Sequence, residues 1–153
     1  MKANAQKQSK SNLLYRMTIL TRRWRQVADE EFRSIGLTDA MWRPLLNLQV
    51  LGEGICQKDL AASIGIEGPS LVRILDSLEE NGLIRRLEDK KDRRAKRIAL
   101  TNQGRATVER IRKILNPMVN RFLRKVEAED YAHLERMVLL MESNLMEMQE
   151  AKS

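Results

Sequence analysis

Two short helical runs that meet across a two-residue break constrain this chain more than any other feature. From Gln57 to Ile64, the residues Leu60, Ala61 and Ile64 fall on one helical face, and from Glu67 to Asn81, Leu71, Leu75 and Leu78 repeat at steps of four and three. Between the runs, Gly65 can adopt the positive φ that so tight a turn requires, and the small Ala61 lets two helices cross closely. The pattern reads as a helix-turn-helix. Helix pairs joined through glycine are common, so spacing alone leaves the task of the pair open.

The segment that follows narrows it. After Gly82, the stretches Leu83-Ile84-Arg85-Arg86-Leu87-Glu88 and Arg97-Ile98-Ala99-Leu100 are short and suited to strands, separated by residues 89–96, and predict a two-stranded hairpin. From Arg85 to Arg97 eight Lys or Arg residues stand against three Asp or Glu, a local +5 in a chain whose formal net charge is +7. A hairpin so charged, directly after a helix-turn-helix, reads as the wing of a winged helix fold reaching along a phosphate backbone. The alternative is a solvated turn.

The flanking segments predict long helices. Leu13, Met17, Leu20, Trp24 and Val27, continued by Phe32 and Ile35, form an amphipathic face that Gly36 ends. Thr38 and Asp39 offer a side-chain cap to a second helix carrying Met41, Trp42, Leu45, Leu46, Leu48 and Leu51, with Pro44 in its early turns, where proline is tolerated. Thr101 caps a further helix through Ile111 and Met118, with a kink expected at Asn116-Pro117. A last helix opens from an acidic stretch, Glu127 to Asp130, and repeats Tyr131, Leu134, Val138, Met141, Leu145 and Met148 at heptad spacing. Its apolar surface, widened by Met137, Leu139, Leu140 and Met146, exceeds what a lone surface helix needs, so a second chain is expected against it.

Composition excludes other classes. With 42% hydrophobic residues in 153, one compact domain with a real core is expected. Cys56 is the sole cysteine, so no intrachain disulfide is possible; it reads as a small buried residue, and the context reads as cytoplasmic. The longest uninterrupted apolar run is Met137 to Met141, which predicts neither an export signal nor a membrane span. His133 is the one histidine, and without a Cys or His cluster no metal site is expected. No Gly-rich phosphate loop and no Ser/His/Asp or Cys/His pairing stands out, so neither catalytic residues nor a cofactor are expected.

The order of elements and three motifs, Ile64-Gly65-Ile66-Glu67-Gly68-Pro69-Ser70-Leu71-Val72-Arg73, Leu78-Glu79-Glu80-Asn81-Gly82-Leu83-Ile84 and Asp92-Arg93-Arg94-Ala95-Lys96-Arg97-Ile98-Ala99-Leu100-Thr101, resemble the MarR/SlyA family of bacterial winged helix-turn-helix regulators, its SlyA branch most closely. The resemblance implies a mainly α fold with a small β-hairpin wing, assembled as a homodimer through interlocked N- and C-terminal helices. The corresponding division is a disordered basic tail over 1–12, dimerisation helices over 13–36 and 102–149, and a DNA-binding lobe over 37–101. It further implies a regulator, repressor or anti-repressor, that binds a near-palindromic A·T-rich duplex site.

Residue roles follow from that frame. The N-terminal turns of the helix that begins at Glu67 enter the major groove, where Pro69 and Ser70 lie and Arg73 is long enough to fork onto a guanine edge; the alternative for Arg73 is a phosphate contact. The resemblance implies that Arg94 enters the minor groove while Asp92 braces the hairpin, or acts merely as a turn former, and Arg93 and Lys96 hold phosphates. It also implies a crevice for a small aromatic carboxylate at Arg22, Thr38 and Trp42, the alternative being that the tryptophans belong to the core. The competing class is a protein-interaction module that docks an acidic partner through the apolar helices and basic hairpin.

Overall fold

The computed structural model describes residues 2–52, 54–66, 68–88 and 96–151, with the backbone alone over 2–11. Helix α1 spans Lys2–Arg33, since neither glycine nor proline occurs before Gly36. The segment expected as a disordered tail is therefore continuous with this helix. Gly36, at φ 76°, stops it, and the Leu37 amide turns back onto the Phe32 carbonyl at 3.1 Å.

The C-terminal turns of α1 anchor it. Ala28 and Phe32 are fully buried, whereas Leu13, Leu20 and Val27 on the same helix are exposed. Helix α2, Asp39–Leu51, buries Trp42, Pro44, Leu45 and Leu48. Trp42 joins the two helices: its ring centroid lies 4.9 Å from that of Phe32, and its indole N–H donates to Asp29 Oδ1 at 2.9 Å. Thr38 takes the extended N-cap conformation, but its side chain makes none of the expected capping bonds.

The next elements form the lobe. Strand β1 is Ile55–Cys56, followed by α3 (Gln57–Ile64), α4 (Gly68–Glu80), β2 (Ile84–Glu88) and β3 (Lys96–Leu100). The sheet has three antiparallel strands in the order β1-β3-β2, with Ile55 opposite Ile98, and Ile84 opposite Leu100. The expected hairpin thus gains a third strand, and Cys56, in that strand, is half-buried rather than buried. A two-residue strand is too short to leave an alternation in the sequence.

Helices α5 (Asn102–Phe122) and α6 (Ala128–Glu150) complete the chain. Two compact units result, Met1–Asn116 and Pro117–Ser153, so the first extends beyond the lobe boundary expected at residue 101. Thr101 explains the extension, because its hydroxyl accepts from the Gly104 amide at 2.9 Å and donates to the Gly82 carbonyl at 2.6 Å, capping α5 and tying it to the end of α4. Gly104 itself is buried so closely on the turn before β2 that a Cβ would collide with the Leu83 carbonyl. Gly104→Ala is expected to lower stability by about 2 kcal/mol, since backbone must shift to relieve the overlap. Gly68→Ala, whose Cβ meets open space, serves as the control in urea melts and should leave the midpoint unchanged or slightly raised.

Candidate nucleic-acid interface

A helix offered to a ligand must first be held by its other side. On α4 the buried residues are Leu71, Leu75 and Leu78, while Gly68, Pro69, Ser70, Val72, Arg73 and Ser77 are exposed. Pro69, Ser70 and Arg73, singled out from the sequence, therefore share the outward surface of the first two turns. Arg73 makes no hydrogen bond or ion pair among the described residues, which leaves all its donors available.

The entry to α4 is fixed by backbone geometry. Gly65 is left-handed, φ 65° and ψ 39°, and the Ile66 amide closes back onto the Ala61 carbonyl at 3.1 Å. Arg43 on α2 donates to the Ile64 carbonyl at 2.9 Å, satisfying an acceptor at the end of α3 that no helical amide reaches. Sequence periodicity gave no sign of this role, because Arg43 lies on a polar face between apolar positions.

The exit is fixed by charge. Arg86 on β2, half-buried, lies 2.6 Å from Asp76 Oδ1 and 2.9 Å from Glu79 Oε2, and its backbone N–H donates to Glu79 Oε1 at 2.9 Å. A strand residue thus grips two carboxylates one turn apart on α4. Arg86 had counted among the cations of the wing, yet its side chain turns inward beneath the hairpin. The strand register shows why: it shares a face with buried Ile84, while Arg85 and Leu87 point the other way and are exposed. Acids at 76 and 79 facing a strand with two consecutive arginines, of which pleating turns only one inward, are the signal that would have distinguished the two.

Arg97 also bonds within the lobe, donating to the Gly54 carbonyl at 2.7 Å. Lys96, at the base of the wing, is exposed and lies 3.9 Å from Glu88 on the opposing strand. Asp92, Arg93 and Arg94, expected at the wing tip, lie outside the described residues.

The residues proposed for an effector separate in character. Arg22 and Thr38 are exposed, whereas Trp42 is buried against Phe32 with its N–H committed to Asp29. Two apolar grooves occur along single helices, one bounded by Leu13, Arg16, Leu20 and Arg23 on α1, the other by Tyr131, Glu135, Val138 and Glu142 on α6. Neither is lined by Arg22, Thr38 or Trp42. Among the described residues no group of His, Cys, Asp or Glu could hold a metal ion, and no helix is long and apolar enough to cross a membrane.

A helix-turn-helix followed by a stranded wing, carried on long flanking helices, defines a winged helix protein of the transcription-regulator class. A profile of the MarR family matches residues 37–96, from the residue before the α2 cap to the first residue of β3. The crystal structure of the transcriptional regulator PA3341 is similar with a TM-score of 0.82 at 34% identity, covering 88% of this chain and 98% of that one. The S. aureus MepR–DNA complex follows at 27% identity and a TM-score of 0.71, over 86% of this chain and 96% of that one. The transcriptional regulator SlyA, at 23% identity, shares the fold with a TM-score of 0.79 over 92% of this chain and 99% of that one. The chain belongs to the MarR family of transcriptional regulators, whose members are not enzymes.

The Arg86 clamp has a measurable consequence. Arg86→Gln removes the charge shared by Asp76 and Glu79 and is expected to cost about 1–2 kcal/mol in denaturant melts, the partners being partly solvated. Arg85→Gln, one residue away on the exposed face, should stay within about 0.5 kcal/mol of the parent.

Proposed function

We propose that the chain is a sequence-specific double-stranded DNA-binding regulator that acts as a homodimer in the cytoplasm on a near-palindromic, A·T-rich site, as a repressor or anti-repressor of the SlyA type. The observation that carries the proposal is the outward face of α4, where Pro69, Ser70 and Arg73, which has no partner among the described residues, surround the N-terminal turns of a helix held firmly from behind. Helix N-termini favour phosphate, and an arginine fork fits the O6 and N7 acceptors of guanine. The solved complex of MepR with DNA, at 27% identity, supports the same use of the fold.

In this reading Arg73 reads the major groove. Arg94 enters the minor groove, where A·T-rich sequence narrows the walls and deepens the negative potential, while Asp92 braces the hairpin and Arg93 and Lys96 hold phosphates. Dimerisation rests on α6, which buries none of its residues, and on the exposed apolar positions of α1. One C₂ dimer then matches two inverted half-sites. A small aromatic carboxylate bound at Arg22 and Thr38 would use Trp42 as an apolar wall, since that indole N–H is already satisfied by Asp29.

Selection of bound duplexes from a random pool is expected to return two inverted halves; an asymmetric or absent consensus would sink the dimeric reading. Arg73→Ala should relax base preference at the position it reads, a discrimination of about 1–3 kcal/mol, with non-specific binding nearly unchanged. Uniform weakening on every duplex would reassign Arg73 to phosphate. Arg94→Ala should cost most on A·T-rich flanks, and an effect independent of flanking sequence would count against minor-groove insertion.

A further inference from the structure

We infer that the self-association surface is specified by ion pairs between copies, Arg16 and Arg23 on α1 of one copy meeting Glu135 and Glu142 on α6 of the other. The inference rests on the homodimeric reading above and names the residues that would enforce it.

The charge of the chain is distributed unevenly. Seven of its 28 Lys and Arg residues fall in the first 28 positions, ahead of the first acid, Asp29, so the other 21 balance the 21 acids. The first 28 residues therefore carry a charge equal to the whole net +7, and helix α1, which adds Asp29, Glu30, Glu31 and Arg33, remains strongly basic. Helix α6 is its opposite, with Glu129, Asp130, Glu135, Glu142, Glu147 and Glu150 against Arg136.

The two helices match in finer detail. The apolar groove of α1 is flanked by Arg16 and Arg23, and that of α6 by Glu135 and Glu142, in each case charges seven residues apart. Seven residues of helix rise about 10.5 Å, so both charges of one groove reach both charges of the other in either relative direction. None of the four side chains has a hydrogen bond or ion pair among the described residues. Apolar seams flanked by opposite charges are how packed helices select partner and register.

The occupant follows from needing both grooves covered at once. An acidic protein, a nucleic acid or an anionic membrane would suit α1 and be repelled by α6. A second copy presents the complementary face to each. Two-fold symmetry then makes the contact twice, α1 on the partner's α6 and α6 on the partner's α1, with two ion pairs in each.

Two reversed chains test this: one carrying Arg16→Glu and Arg23→Glu, the other Glu135→Lys and Glu142→Lys. Alone, each replaces four attractions by four repulsions, and its self-association, measured by sedimentation, is expected to weaken on the order of 100-fold. Mixed or co-expressed with different tags, they present attractive pairs at both contacts and are expected to form the mixed dimer with near-parental affinity. Should either fail to fold alone, recovery of the mixed dimer on co-expression still supports the pairing. Variants that self-associate as tightly as the parent overturn it, and so does a mixture that forms no mixed dimer, as it would if α1 met α6 within one chain. A parent chain that is monomeric at micromolar concentration and binds no selected duplex would instead overturn the dimeric DNA-binding reading itself.

Discussion

Arg86 is the contact on which the winged lobe depends. Helix α4 carries Asp76, Glu79 and Glu80 against Arg73 alone, so by its own charge it is an acidic helix and a poor candidate to approach a polyanion. The guanidinium from β2 draws Asp76 and Glu79 to the inner edge and offsets both. What remains outward over the first turns is Ser70, Arg73 and the helix N-terminus, with no acid among them. One ion-pair cluster thus joins strand to helix and orients the polarity of α4, so that its acid-free end is the one left to face outward. Strand β2 and α4 are thereby tied together, so in the proposed DNA-binding reading a contact made by Arg73 and one made from the base of the wing would share a common frame.

Arg43 and Thr101 extend that frame in both directions along the chain. Arg43 ties α2 to the end of α3, and Thr101 ties the end of α4 to the start of α5. Each acts on backbone groups that a helix terminus or tight turn leaves without partners, which is why single side chains suffice. The lobe is therefore bounded by hydrogen bonds to termini, while Leu45, Leu48, Leu60, Leu71, Leu75 and Leu78 fill its interior.

Legibility in the sequence followed the strength of periodicity. Gly36, Gly65 and Gly82 punctuated the helices correctly, and all three take positive φ. The leucines of α3 and α4 were readable because a buried face repeats at helical spacing. Strand β1 was not, for two residues carry no period, and Thr38 offered a cap that its side chain does not make. The inward arginines were misjudged for a physical reason: composition counts charges, whereas strand pleating decides that Arg86 turns in and Arg85 turns out. Leu13, Leu20 and Val27 continue the buried stripe of α1 in sequence yet are exposed, since a stripe records that a face needs covering without saying by which chain.

The same distinction between amount and position of charge applies to the chain as a whole. A net +7 invites the inference that the molecule is a general polyanion binder, and the basic hairpin encourages it. Beyond the first 28 residues, however, the charges of the chain balance, and the local excess on the hairpin is offset elsewhere by acids such as those of α6. If the proposed DNA contacts and inter-copy ion pairs hold, salt would act at two places through one mechanism, screening phosphate contacts at the wing and opposite charges between copies. A dimer that presents two lobes loses affinity when either is screened, so its salt dependence on a palindromic duplex exceeds what phosphate neutralisation alone would produce.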